Sequence, residues 1–206
     1  MKQPMIVGKP ALLAVDLVNE EYDDESIPMM PGYDRVVARS AELIRVAREC
    51  EVPVVYLSEQ HRRSHVDFGR ELDGNEDVHL LEGDSGTEIS KRAAPLPDDP
   101  IVVKRRYSGF FGTDLDIVLR GLETSTLILV GDLTDVCVHY TFVDAHQHDY
   151  YARVVEDCVL GSSQAAHDAS LAAMEYLQTG ARSPRRPEHS SHVGGHRRTC
   201  SARRRL

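Results

Sequence analysis

Five short runs of aliphatic and β-branched residues, at positions 11–15, 52–57, 101–103, 126–130 and 153–155, most constrain what this chain can fold into. Most are continuous rather than alternating in hydrophobicity, the pattern of strands covered on both faces of a parallel sheet. Between them, positions 34–50, 114–122, 134–150 and 163–177 space their apolar residues at helical intervals. Strand–helix alternation with short connections implies right-handed βαβ units: an α/β fold, doubly wound and Rossmann-like, with helices on both faces of a mostly parallel sheet. Such a sheet puts its working residues at the carboxyl ends of its strands. One connection is long. Residues 58–100 are polar, with His61, His65, His79 and several glycines, and insertions of that length are usually functional loops.

The chain has 206 residues, which suits one large domain, and its four cysteines are too few and too scattered for a disulfide framework. No apolar run approaches the roughly 18 residues of a membrane helix. A reducing cytoplasm and a soluble protein without membrane partners are the expectation. The net charge of −9 conceals two regimes. Residues 1–180 hold 16 basic and 32 acidic side chains, whereas residues 181–206 hold eight arginines and one glutamate. An acidic body does not attract nucleic acid. The basic stretch reads either as a nucleic-acid-binding tail or as a disordered end, and its near absence of apolar residues favours the second. The expected division is therefore one folded domain over 1–180 and a basic, disordered tail over 181–206.

Three strand ends carry candidate chemistry. Asp16 follows the first run directly; a carboxylate there is either a loop cap or a group aimed into the crevice. Lys104 follows the third run. It either points into the same crevice, where a carboxylate partner would keep it charged, or joins Arg105 and Arg106 in a solvated patch. Cys137 follows the fourth run after Gly131-Asp132-Leu133-Thr134, with Thr134 a candidate helix N-cap. In a first helical turn, free backbone N–H groups favour a thiolate and can hold an oxyanion. Cys50 and Cys158 have no such context and read as packing residues. His139, His146 and His148 cannot all face the thiol from one helix, and with His167 they read as helix-surface residues. Cys, Asp and Lys at neighbouring strand tips form a nucleophilic set in which a thiolate attacks a carbonyl and a carboxylate carries the proton.

At these residues the sequence resembles the isochorismatase-like cysteine hydrolases, among them nicotinamidase and N-carbamoylsarcosine amidase. The resemblance rests on Leu13-Ala14-Val15-Asp16, on Val103-Lys104-Arg105-Arg106-Tyr107-Ser108-Gly109-Phe110-Phe111-Gly112-Thr113-Asp114-Leu115, and on Gly131-Asp132-Leu133-Thr134-Asp135-Val136-Cys137-Val138. It implies a six-stranded sheet, a triad of Asp16, Lys104 and Cys137, and a non-proline cis peptide just before Leu133 that turns the N–H groups of Leu133 and Cys137 toward one oxyanion. Tyr107, Phe110 and Phe111 are candidates for the pocket wall. Nicotinamidases also carry an Asp-x-His pair and a later His that bind a divalent ion; the matching positions here are Glu59, His61 and His79. The surroundings of that pair have become Glu59-Gln60-His61-Arg62-Arg63, so the expectation is a site without metal or other cofactor.

The implied activity is hydrolysis of a small amide or ureido compound through a cysteine thioester, with ammonia released, in a homodimer or homotetramer. A metal-dependent nicotinamidase and a vinyl-ether hydrolase of the isochorismatase type are the enzymatic alternatives. A signalling or binding domain on the same architecture is the rival from another class. Receiver domains need a second acidic residue beside the first-strand Asp, and Leu17 stands there. No Gly-x-Gly-x-x-Gly follows any strand, which argues against a dinucleotide-dependent oxidoreductase.

Overall fold

The computed structural model describes residues 4–19 and 26–183. The first strand, β1 (Lys9–Val15), lies between β2 (Val54–Glu59) and β4 (Thr124–Asp132). The sheet continues to β3 (Ile101–Lys104) on one side and to β5 (Tyr151–Leu160) and β6 (Arg182–Ser183) on the other. The order is β3-β2-β1-β4-β5-β6 and every pairing is parallel.

Residues 11–15 of β1 are buried throughout, which explains their continuous rather than alternating hydrophobicity. Successive side chains still take opposite faces. Ala11, Leu13 and Val15 pack with α2 (Leu115–Gly121), α3 (Cys137–Gln147) and α4 (Gln164–Leu177), through Leu119, Phe142 and Met174 among others. Leu12 and Ala14 face α1 (Tyr33–Glu49), where Val37, Ile44 and Ala47 supply the apolar stripe. One helix covers one face and three cover the other. Among the described residues no helix is long and apolar enough to cross a membrane.

Two local expectations are corrected. The sheet does not stop at 180: Ala181 is fully buried, Val154 N–H donates to its carbonyl at 2.7 Å, and Arg182–Ser183 pair with β5 as the sixth strand. The sequence hid this strand because it is two polar residues long. Residues 184–206, the remainder of the expected tail, lie outside the described residues. Thr134 is not the cap of α3 either. Its N–H donates to the Leu160 carbonyl at 2.7 Å and its hydroxyl meets His167 Nδ1 at 2.9 Å, so α3 begins three residues later, at Cys137. The same contact moves His167 from the expected surface to the interior.

Candidate active site

Strand register does most of the assembly. Val15 pairs with Leu57 and with Gly131, so the ends of β2, β1 and β4 lie side by side. Glu59 pairs with Lys104 at the tips of β2 and β3. At the β1–β4 contact a Cβ on Gly131 would lie 1.8 Å from the Val15 carbonyl oxygen, and its φ is +112°. Only glycine lets β4 approach β1 this closely and then turn toward Cys137. The Asp132–Leu133 peptide that follows is cis, as the resemblance implied.

Asp16, Lys104 and Cys137 converge, all buried. Asp16 has φ +49°, an unusual conformation for a residue with a Cβ. It is held by its own N–H to the Leu57 carbonyl (2.9 Å) and by the Glu59 N–H, which donates to Asp16 Oδ1 (2.7 Å). Lys104 Nζ lies 2.8 Å from Asp16 Oδ2 and 3.3 Å from Cys137 Sγ. The solvated-patch alternative for Lys104 therefore falls. Arg105 and Arg106 turn the other way, donating to the Gln60 and Asp67 carbonyls.

Glu59 is the member that sequence reasoning placed elsewhere. Its Oε2 is ion-paired with Lys104 Nζ, and Cys137 Sγ–H donates to that oxygen at 3.2 Å. One buried ammonium thus serves two carboxylates and a thiol. Burial alone would drive Lys104 toward neutrality, but Asp16, Cys137 and Glu59 together hold it charged, well above the usual lysine range. Burial would likewise raise Glu59, yet Lys104 and the His61 hydrogen bond keep it ionised, far below the ordinary carboxylate range. Asp16 goes the other way: burial, reinforced by Glu59, outweighs Lys104 and raises its proton affinity. The expectation of a depressed Cys137 pKa is reversed. Burial pushes the thiol well up, and Glu59 and Asp16 oppose the one favourable charge, Lys104. Burial thus favours the protonated thiol at Cys137, and of the two neighbouring carboxylates Asp16 is the one with the raised proton affinity.

A small pocket opens onto Cys137. Asp16, Glu59, Glu76, Asp132 and His79 line it with Tyr107, Ile27, Leu80, Leu133 and Val136. Leu133 and Cys137, the expected oxyanion pair, both border it. The N–H of Cys137, first in α3, is one of those without an acceptor inside the helix. Of the expected wall residues, only Tyr107 is there. Phe110 stacks on His148 with ring centres 5.0 Å apart and packs against the core, and Phe111 is 65% exposed.

Beside the pocket, Glu59, His61, Glu71 and His79 bring one donor atom each within 4.8 Å of one another. Glu71 was not foreseen. The backbone knits these segments together: His61 N–H donates to Leu80 O and Glu82 N–H to His61 O, both at 2.8 Å. Phe68 stacks on the His61 ring at 3.9 Å. His79 Nδ1 sits 2.6 Å from the Asp77 carbonyl, which fixes the ring and leaves Nε2 for another partner. Glu71 Oε1 is buried and accepts no hydrogen bond, and burial with Glu59 and Glu76 nearby pushes Glu71 up to about 8. Two imidazoles and two carboxylates around an unsatisfied oxygen fit a divalent ion of the zinc or iron type.

Residues 10–183 match the isochorismatase domain family. The chain belongs to the isochorismatase family. Over 168 residues it is 30% identical to a maleamate amidohydrolase of Pseudomonas putida, covering 79% of this chain and 78% of that one. Its fold is similar to that of the N-carbamoylsarcosine amidase from Thermoplasma acidophilum (TM-score 0.69, 28% identity, 90% of this chain and 100% of that one). It is also similar to that of a Pyrococcus horikoshii pyrazinamidase solved in complex with zinc (TM-score 0.73, 27% identity, 82% and 96%). This family member is a hydrolase of non-peptide C–N bonds.

Proposed function

We propose that this isochorismatase-family member hydrolyses a small amide or ureido compound through a Cys137 thioester. The observation that carries the reading is the buried contact of Cys137 with Lys104 and Glu59, next to an Asp16 of raised proton affinity. As Sγ attacks the carbonyl carbon, its proton passes to Asp16. The N–H groups of Leu133 and Cys137 take the developing oxyanion, and Lys104 offsets the negative charge around the thiolate. Asp16 then protonates the leaving nitrogen, the C–N bond breaks and ammonia departs. A water that gives its proton to Asp16 attacks the thioester, releasing the acid and restoring the thiol. True vinyl-ether hydrolysis needs no thiol, so a buried cysteine in contact with the ionic core favours the amide reaction.

The four-donor cluster favours a second reading, a metal-dependent amidase of the nicotinamidase kind. Glu59, His61, Glu71 and His79 would hold the ion, which would supply a Lewis-acid anchor for a substrate heteroatom. Incubation with carboxamides followed by intact-mass measurement tests the thioester. A covalent acyl adduct on the wild type that is missing in Cys137→Ala supports the first reading, and undiminished ammonia release by Cys137→Ala refutes it. Elemental analysis separates the two: stoichiometric zinc or iron, with turnover lost on chelation, selects the second.

A further inference from the structure

The pocket's charge has a direction. Four carboxylates line it, from Asp16, Glu59, Glu76 and Asp132, and among the described residues no arginine or lysine joins the lining. The nearest ammonium, Lys104, is fully buried behind the thiol and already paired with Asp16 and Glu59. The arginines of the neighbouring loop are turned to other acceptors: Arg62 to Asp67, Arg63 to Asp84, Arg105 to Gln60 and Glu82, Arg106 to the Asp67 carbonyl. Lys104 and a divalent ion at the adjacent cluster would together offset at most three of the four lining charges. A substrate carboxylate entering this pocket would lose its water and meet no lysine or arginine free to pair with it, His79 being the one basic side chain of the described lining.

Glu76 and Tyr107 border the pocket together. The Tyr107 hydroxyl donates to Glu76 Oε2 at 2.9 Å, which fixes the carboxylate and leaves its other oxygen to accept from a ligand. We propose that the substrate is a small carboxamide bearing a protonated amine, with the amide at Cys137 and the amine held by Glu76. This rests on the amide-hydrolase reading and narrows it. It also sets the chain apart from its maleamate-named relative, whose namesake is a carboxylate at neutral pH.

Three amides that share the –CH2CH2–CONH2 backbone and differ in the terminal group provide the test: β-alaninamide (cationic), butyramide (neutral) and succinamate (anionic). Ammonia release should give a kcat/KM for β-alaninamide about tenfold or more above that for succinamate, as expected for a charge-assisted hydrogen bond against an unpaired carboxylate. Glu76→Gln should cut the rate with β-alaninamide about tenfold more than that with butyramide. Equal or faster turnover of succinamate overturns the proposal.

A readout independent of turnover uses the Cys137-containing peptide, followed by mass spectrometry after reaction with 2-aminoethyl or 2-sulfonatoethyl methanethiosulfonate. Relative to a free thiol, the cationic reagent should be favoured about tenfold, and Glu76→Gln should narrow the ratio. A ratio at or below that of a free thiol overturns the charge selectivity. Absence of hydrolysis for all three amides, with the labelling ratio preserved, overturns the amino-carboxamide as substrate and leaves the cation-selective pocket standing.

Discussion

Cys137 is buried among two carboxylates and one ammonium, and that balance decides its reactivity. A thiolate there would place a third negative charge beside a single positive one. With its pKa raised, the thiolate fraction grows with each step in pH across the neutral range instead of levelling off. Alkylation of Cys137 by iodoacetamide should therefore be slow at pH 7 and still climbing above pH 9, read from the modified peptide; a plateau below pH 7 would show a stabilised thiolate. Cys137→Ser should lower turnover on the order of 10⁴-fold while the fold persists, because the hydroxyl is a much weaker nucleophile. Lys104 has a structural duty as well. Lys104→Ala would leave Asp16 and Glu59 facing each other without a counter-charge, at an expected cost of about 3–5 kcal/mol in denaturant unfolding at pH 7. Lowering the pH should shrink that difference as the carboxylates take up protons. A Lys104→Ala protein as stable as wild type would mean that the pair relaxes into water. The helix-start position of Cys137 and the nearby lysine were readable in the sequence. Glu59 was not, because its distance to the thiol depends on register between β2 and its neighbours.

At the scale of elements, the β4–α3 turn is the most constrained segment. Gly131→Ala would drive a methyl into the Val15 carbonyl at a positive φ, and β1 and β4 would have to part. Loss of soluble protein, or destabilisation well beyond the roughly 1 kcal/mol of an ordinary substitution, is expected; wild-type stability by thermal unfolding would contradict the packing described here. Runs buried on both faces, such as residues 11–15 of β1 and 127–130 of β4, announce themselves in sequence, since every side chain along them is apolar. Thr134 shows the limit of local signals. It has the chemistry of a helix cap, but a carbonyl of β5 and the His167 ring claim it first. Glu71, Glu76 and Phe68 lie in a stretch with no period, where only the folded path of the chain reveals which side chains meet.

For the molecule as a whole, the sixth strand closes the sheet's edge. A chain ending at Gly180 loses the fully buried Ala181 and all of β6, whereas one ending at Ser183 keeps both. The shorter protein should unfold at a lower denaturant concentration than the longer one, and the longer one should retain turnover. Equal midpoints would make β6 dispensable. The ionic core has a further consequence for how such an enzyme can change. Glu59 and Lys104 are cross-strand partners at the tips of β2 and β3; the segment 60–100 leaves the sheet at Glu59 and re-enters it at Ile101, one strand-length before Lys104. The charged groups around Cys137 thus also tie together the two strands that flank the segment supplying Glu76, His79 and Leu80 to the pocket. Lengthening a clasped loop is cheap, about 0.6 kcal/mol for each doubling of a flexible one. New recognition surfaces can therefore be tried out between the two residues while the bond-breaking apparatus stays fixed on the strands.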